Sequence, residues 1–92
     1  MNMPETRLVG GLAQVMIPAV GAAAGNVTAT GVALTDKLIA VHTVEFDTDG
    51  DISAVADLTA EFSITAANTI NNTGGTTTAD KLVLVQVAKQ VA

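Results

Sequence analysis

The sequence predicts a small all-β domain, a β-sandwich or barrel-like fold with an extended apolar N-terminal arm. Three observations support this prediction. Apolar and polar residues alternate along short segments, Gly, Asn and Asp residues separate these segments, and one segment occurs twice. The segment Thr35 to Val41 is repeated, with a few substitutions, as Ala79 to Val85. A stretch of small residues and threonines precedes each copy. Short alternating segments between turn signals are typical of sandwiches and barrels.

We divide the chain into an arm, residues 1–26, and a β-domain, residues 27–92. Leu8 to Ala24 is apolar, but Glu5 precedes it and Gly10, Gly11 and Pro18 interrupt it. These features disfavour a signal peptide, a membrane-spanning helix and a regular central strand. We therefore predict that the arm packs on a neighbouring subunit or on the domain's own sheet. The predicted capsid or subunit interface residues are Leu8, Leu12, Val15, Ile17 and Val20.

Three segments in the β-domain have the pattern of strands. Asp36 to Phe46 begins apolar on both faces and then alternates, which indicates a strand buried first on two faces and then on one. Thr59 to Thr65 alternates, with Ala60, Phe62 and Ile64 directed inward. Ala79 to Val87 forms the last predicted strand, with Leu82 and Leu84 on one face and Val83, Val85 and Val87 on the other. The domain should therefore contain several strands with short connections.

The segments between these strands are predicted as turns. Asp47 to Asp51 contains Asp-Gly, a strong reversal signal, and Asn68 to Gly75 is rich in Asn and Gly. Ile52 to Ala60 has a helix-like spacing of apolar residues but is short and lacks caps. We predict a loop or a single helical turn there.

Composition limits how this domain can be stabilised. The 92 residues are enough for one domain, and a domain of this size is marginally stable on its own. The chain has no Cys, so disulfides and thiolate metal sites are excluded as stabilising elements. Its single His, without a second soft ligand, disfavours a structural zinc site. Oligomerisation is the remaining route, and we predict a homo-oligomer, a dimer or a trimer.

The charge balance excludes further classes of partner. The net charge is −5, and the cations are scattered: Arg7, Lys37, Lys81 and Lys89. Such a distribution cannot form the basic stripe of a nucleic-acid-binding protein, and the chain lacks aromatic residues for base stacking. We predict neither a nucleic acid nor a membrane as partner.

Three groups of residues have patterns that suggest a metal, catalytic or modification site. Glu45, Asp47, Asp49 and Asp51 resemble the start of a calcium loop, but Ala56 stands where a bidentate Glu is required. We interpret them as a solvated acidic turn, with a weak calcium site as the alternative. His42 on an apolar strand is interpreted as a packing residue, because no serine lies in a nucleophile context. We predict no catalytic residue, no cofactor and no metal.

Two asparagines, Asn26 and Asn71, stand in glycosylation sequons, Asn26-Val27-Thr28 and Asn71-Asn72-Thr73. Such sequons matter only in a eukaryotic secretory setting, which nothing else in the sequence suggests. We interpret both asparagines as turn residues.

A resemblance covers roughly residues 30–88. Three segments carry it: ADLTAEFSIT at Ala56 to Thr65, ANTINNTGGT at Ala67 to Thr76, and DKLVLV at Asp80 to Val85. These segments resemble small capsid decoration, or cement, proteins of tailed bacteriophages. The resemblance implies a structural virion protein that binds the major capsid protein on the outer surface of the assembled head and clamps neighbouring capsomers, as an oligomer on a capsid symmetry axis.

There are two alternatives to capsid decoration. One is a different phage tail or bacterial surface β-module used for adhesion, which would need an exposed aromatic or acidic pocket, and the chain has no Tyr or Trp for stacking on sugars. The other is an enzyme subunit, which the residue inventory disfavours. The sequence therefore predicts a virion structural protein and not an enzyme.

Overall fold

The computed structural model describes residues 7–8, 12–23 and 25–90, and it contains two antiparallel sheets. The larger sheet has the order β1 (Arg7–Leu8), β2 (Leu12–Val20), β8 (Leu82–Gln90), β4 (Lys37–Phe46) and β5 (Ile52–Asp57). The smaller sheet has the order β3 (Gly25–Thr28), β7 (Thr69–Asn72) and β6 (Phe62–Ala66). A 3-10 turn spans Thr59–Glu61, and the described ranges contain no α-helix. The all-β, sandwich-like prediction is confirmed.

The core lies between the two sheets and consists mainly of small aliphatic residues. Val83, Val85 and Val87 alternate along β8 and are fully buried. The smaller sheet contributes Val27 and Ile70, which are also almost completely inaccessible to solvent. Each buried aliphatic side chain of this size stabilises the fold by about 1.5–3 kcal/mol relative to an exposed one. Many contacts of moderate strength therefore replace the aromatic anchors that the composition lacks.

The repeated segment forms the two strands at the centre of the larger sheet. The first copy leads into β4 and the second into β8, and these strands are antiparallel neighbours. Val41 and Val85 occupy equivalent places in the two copies, and they are directly paired in the register. Both side chains are fully buried. The repeat therefore corresponds to a local pseudo-two-fold arrangement around the most buried pair of the sheet.

The predicted division between an arm and a β-domain requires correction over residues 12–20. This segment is the strand β2, and it pairs with β8 along its whole length, from Leu12 opposite Gln90 to Val20 opposite Leu82. The boundary at residue 26 falls inside β3. Pro18 is tolerated because, in the described part of the chain, β1 covers the other edge of β2 only at residues 12 and 13. The remainder of the predicted arm, residues 1–6, 9–11 and 24, lies outside the described residues.

Two predicted turns or loops are strands. Ile52–Asp57 pairs with β4, and its helix-like spacing has a simple cause, which is the extra residue Ser53. Ile52 opposes Phe46 and Val55 opposes Val44, so the bulge puts two apolar residues three positions apart on one face.

The segment Thr69–Asn72 is a strand flanked by β3 and β6. Asn26 and Asn71, predicted as turn residues, instead lie in the neighbouring strands β3 and β7. The Asn71 Nδ2 donates a hydrogen bond to Asn26 Oδ1 at 2.7 Å, from one strand to the other. Asn72 Oδ1 accepts from the backbone N–H groups of Gly74 and Gly75. The predicted turn region is therefore divided in two by β7: Asn68, with a positive φ of 60°, lies in the turn between β6 and β7, and the second turn lies beyond Asn72.

The remaining strand predictions agree with the structure to within a few residues. Asp36 to Phe46 is observed as Lys37–Phe46, and Ala79 to Val87 as Leu82–Gln90. Thr59 to Thr65 begins later than predicted, at Phe62, because Thr59–Glu61 forms the 3-10 turn. Phe62 is buried and Ile64 is partly buried against the core, as the alternation predicted, whereas Ala60 is exposed.

A close backbone approach holds the end of β2 against the loop before β8. Gly21 N donates to the carbonyl of Lys81 at 3.1 Å, and a Cβ on Gly21 would clash with the Thr78 carbonyl oxygen. The buried Thr78 hydroxyl accepts from Ala22 N at 2.9 Å and donates to the Ala22 carbonyl at 3.0 Å. Glycine at position 21 is thus required by space, since any side chain would collide with backbone.

A buried ion pair joins the start of β4 to the end of β8. The Asp36 side chain is only 4% exposed, and it accepts from Lys89 Nζ at 2.6 Å and from Ala33 N at 2.8 Å. Burial raises the pKa of Asp36, but the hydrogen bonds from Lys89 and Ala33 and the lysine charge outweigh burial and lower the pKa below 3.8. The carboxylate is therefore more acidic in the folded state than in the unfolded chain.

We predict an acid-dependent loss of stability from this group. Because the folded pKa is depressed, the stabilisation is present above the unfolded-state pKa and is lost as the pH falls through the folded value. Asp36→Asn is expected to cost about 1–3 kcal/mol at neutral pH and to flatten the decline between about pH 5 and pH 2. Urea unfolding at several pH values measures both effects. Parallel curves for the two proteins would contradict the prediction.

Candidate functional site: the outer face of the larger sheet

The outer face of the larger sheet, which points away from the smaller sheet, carries a row of apolar residues across four strands. Val20, Leu82, Val44 and Val55 are direct cross-strand neighbours in β2, β8, β4 and β5. Val20 is 82% exposed and Val55 is 61% exposed, whereas Val44 between them is buried. Single exposed apolar residues are normal on a protein surface, but contiguous ones mark interaction sites.

The outer face becomes more polar along the strands. The next row consists of Pro18, Leu84, His42 and Asp57. Beyond it, Met16 of β2 is 54% exposed, with Gln86 as its neighbour on β8. Gln86 Nε2 donates to the side-chain oxygen of Gln14 at 2.9 Å. The apolar surface is thus concentrated toward the end of the sheet that carries Val20 and Val55.

All six residues of β5 are exposed, on both faces of the strand. In the described part of the chain, the principal contacts between the two sheets join β2 to β3 and β4 to β6, and β5 lies at the edge of the larger sheet beyond β4. Ser53 forms the bulge, and its hydroxyl donates to the Glu45 carbonyl at 3.1 Å. An apolar edge strand of this kind is unusual in a protein that functions alone.

The connection between β4 and β5 is an acidic turn flanked by two exposed apolar residues. Phe46 is 49% exposed, and Ile52, which opposes it, is 62% exposed. Asp47 Oδ1 accepts from the backbone N–H groups of Asp49 and Asp51, at 2.9 and 3.0 Å. This carboxylate therefore stabilises the turn, as Asp side chains commonly do. Among the described residues, no three carboxylates or imidazoles converge on a possible metal position.

His42 lies opposite Asp57 on the outer face, at the β4–β5 ladder. Its Nε2 is 3.9 Å from Asp57 Oδ2, and both side chains are substantially exposed. Asp57 also accepts from the hydroxyl and the backbone N–H of Thr59, and these hydrogen bonds, with a smaller effect of His42, lower its pKa. No serine hydroxyl in the described residues is hydrogen-bonded to His42, and that of Ser53 donates to the Glu45 carbonyl. The arrangement is a surface polar cluster without a positioned nucleophile.

The five predicted interface residues separate into three groups. Ile17 is 7% exposed and belongs to the domain's own core, so it is a packing residue, and Val15 packs partly against the same core. Val20 is on the outer face and is free to contact a partner. Leu8 and Leu12 belong to β1 and β2, and their side chains lie outside the described residues.

Four residues of this surface were missed: Met16, Phe46, Ile52 and Val55. The exposure of Met16 could not be predicted, because the segment around it is apolar on both faces and shows no alternation. Phe46 and Ile52 directly flank the acidic turn, and this apolar–acidic–apolar order was a usable signal. Val55 could not be recognised, because the bulge at Ser53 conceals the alternation of β5.

An open cleft of about 530 Å³ lies beside the end of β2. Its lining combines apolar residues with residues that carry hydroxyl or amide groups: Pro18, Ala19, Val20, Ala22 and Leu82, and Asn26, Thr28 and Thr30. The residues that line it in the described part of the chain include no titratable and no aromatic side chain. The cleft therefore offers shape and a few hydrogen bonds, but no group for acid–base or nucleophilic chemistry.

No protein-family model matches this chain, and neither a curated protein nor a solved structure shows significant similarity to it. Within the described ranges, no helix is long and apolar enough to cross a membrane.

Proposed function

We propose that this protein is a capsid decoration, or cement, protein, which binds the outer surface of an assembled phage head and clamps neighbouring capsomers. One observation carries the proposal: the outer face of the larger sheet presents exposed apolar residues on both of its flanks, Met16 and Val20 on β2 and Val55 on β5, in a chain of 92 residues. Surface of this kind is typical of a protein whose function is an interface. The resemblance of residues 30–88 to decoration proteins supports the same role.

The geometry suits attachment to a large repetitive surface. The described part of the chain measures 46 × 28 × 19 Å along its principal axes, and the larger sheet presents one broad face. A single contact over such a face would be of modest strength. If several copies assemble as a dimer or trimer on a symmetry axis of the shell, the second contact becomes intramolecular, and total affinity rises by about 10²–10⁴ without new contacts. We propose the major capsid protein as the partner and a homo-oligomer as the bound form.

An adhesion module is the second candidate that the sequence left open. It requires an exposed aromatic or acidic pocket. The cleft beside β2 is lined by hydroxyl, amide and aliphatic groups, and the exposed Phe46 lies at the other edge of the sheet, next to β5. The site geometry therefore favours attachment to a protein surface over recognition of a sugar.

The test is co-sedimentation with undecorated capsids of the phage that encodes the chain. Val20→Asp and Met16→Asp each place a charge on the outer face at a position that is more than half exposed. We expect each to weaken binding by more than about tenfold, because a charge without a partner is costly to bury in an interface. Thr65→Asp is the matched control, since Thr65 is exposed on the smaller sheet and the change in net charge is the same.

Stability must be measured in parallel, and all three variants should unfold at nearly the wild-type urea concentration. If the wild-type protein does not sediment with capsids, the proposed function is wrong. If the control and the outer-face variants lose binding equally, the outer face is not the attachment surface.

A further inference from the structure

Charge is distributed unevenly along the chain. No Lys or Arg occurs between Lys37 and Lys81, while this stretch contains most of the carboxylates: Glu45, Asp47, Asp49, Asp51, Asp57, Glu61 and Asp80. The carboxylates from Glu45 to Asp57 belong to one hairpin, formed by β4, the acidic turn and β5. In the structure, therefore, one edge of the larger sheet carries negative charge that no neighbouring Lys or Arg in the described residues offsets.

The same hairpin carries the exposed apolar residues at the β5 edge of the larger sheet. Phe46 and Ile52 oppose each other next to the turn, and Val55 follows on the same face. Each of the three is about half exposed or more. We call these residues and the five surrounding carboxylates the acidic hairpin. It combines a central apolar contact with a charged rim, which is the usual anatomy of a protein-binding surface.

Two possible occupants are disfavoured by this arrangement. A second copy of the chain, docked hairpin to hairpin, would bring two sets of carboxylates together, and like charges across an interface oppose association. A strand added to the edge of β5 would meet the bulge at Ser53, where the ladder is interrupted. Contact through side chains with a partner of opposite charge satisfies both constraints.

We propose that the acidic hairpin inserts into an apolar depression bordered by Lys and Arg side chains on the partner protein. This inference rests on the proposed function, in which the partner is the major capsid protein, and it adds the chemistry by which the two recognise each other. Phe46, Ile52 and Val55 supply the buried contact. The rim carboxylates pair with the cations and accelerate association.

The experiment measures binding to undecorated capsids at about 50 mM and about 300 mM salt. The double variant Asp49→Asn/Asp51→Asn removes two rim charges, and neither side chain makes a hydrogen bond within the described structure. We expect about tenfold weaker binding at low salt and a clearly smaller salt dependence than in the wild type. Ser63→Lys/Thr65→Lys on the exposed face of β6 is the control with the same change in net charge.

The apolar contact is tested separately by Ile52→Ser, with Leu34→Ser as the control at an equally exposed apolar position far from the hairpin in sequence. Ile52→Ser is expected to weaken binding about tenfold at both salt concentrations, and Leu34→Ser to leave it unchanged. If wild type and all hairpin variants bind equally, this inference is wrong while the proposed function stands. Failure of the wild type to bind would reject both. Dimerisation that the hairpin variants abolish would identify a second copy as the occupant and overturn the inference.

Discussion

Ile17→Asp is expected to unfold the domain. Ile17 is 7% exposed and packs in the core between the two sheets. The substitution removes an apolar contact worth about 2–5 kcal/mol and buries a carboxylate without a partner, at a further cost of several kcal/mol. Natural domains have only about 5–15 kcal/mol of total stability, and small ones lie at the lower end. We therefore expect a mainly unfolded protein, measured by circular dichroism and by loss of dispersion in the NMR spectrum.

Val20→Asp is the matched control for this prediction. It introduces the same side chain into the same strand, but at a position that is 82% exposed on the outer face. It should change stability by about 0.5 kcal/mol or less, since nothing is buried by the new charge. A folded Ile17→Asp protein of near wild-type stability would show that Ile17 is accessible. It would also restore the hypothesis that this segment contacts a neighbouring chain.

Deletion of residues 1–20 should also abolish the native fold. The deletion removes β2, which pairs with β8 over nine residues and contributes Ile17 and Ala19 to the core. Without it, backbone groups on one side of β8 lose their hydrogen-bonding partners, and the fully buried Val83, Val85 and Val87 gain access to water. The expected result is an aggregated or unfolded chain in size-exclusion chromatography and circular dichroism.

The opposite outcome has a clear meaning. A truncated protein that is monomeric, cooperative in urea unfolding and well dispersed by NMR would mean that residues 21–92 form a complete domain. The N-terminal segment would then be a detachable arm, as the interrupted apolar pattern of the sequence suggested. The control is the full-length chain measured at the same concentration, because association of exposed β8 edges depends on concentration.

The bulge at Ser53 illustrates a limit of sequence patterns. The alternation that defines a strand has a period of two residues, and a single extra residue shifts every later side chain to the other face. Ile52 and Val55 consequently have the spacing of a helix although they lie on one face of a strand. In contrast, the pairing of β8 with β2 contains no bulge. The prediction that Val83, Val85 and Val87 share one face of β8 is confirmed, since all three are buried.

The all-β class, the strands β4 and β8 and the acidic turn could be predicted from the sequence alone. These features depend on local alternation, on the repeat and on Asp-Gly chemistry, which act between residues close in the chain. The sequence also limited the chemistry, since a chain without Cys and with one His offers few catalytic groups.

The division of the apolar residues into core and surface, in contrast, depends on how the two sheets pack together. Ile17 and Val20 are similar in type and belong to the same strand, yet one is buried and the other is exposed. The difference arises because the smaller sheet covers one face of the larger sheet and not the other. Which face is covered depends on contacts between residues far apart in the chain, and local patterns do not encode them.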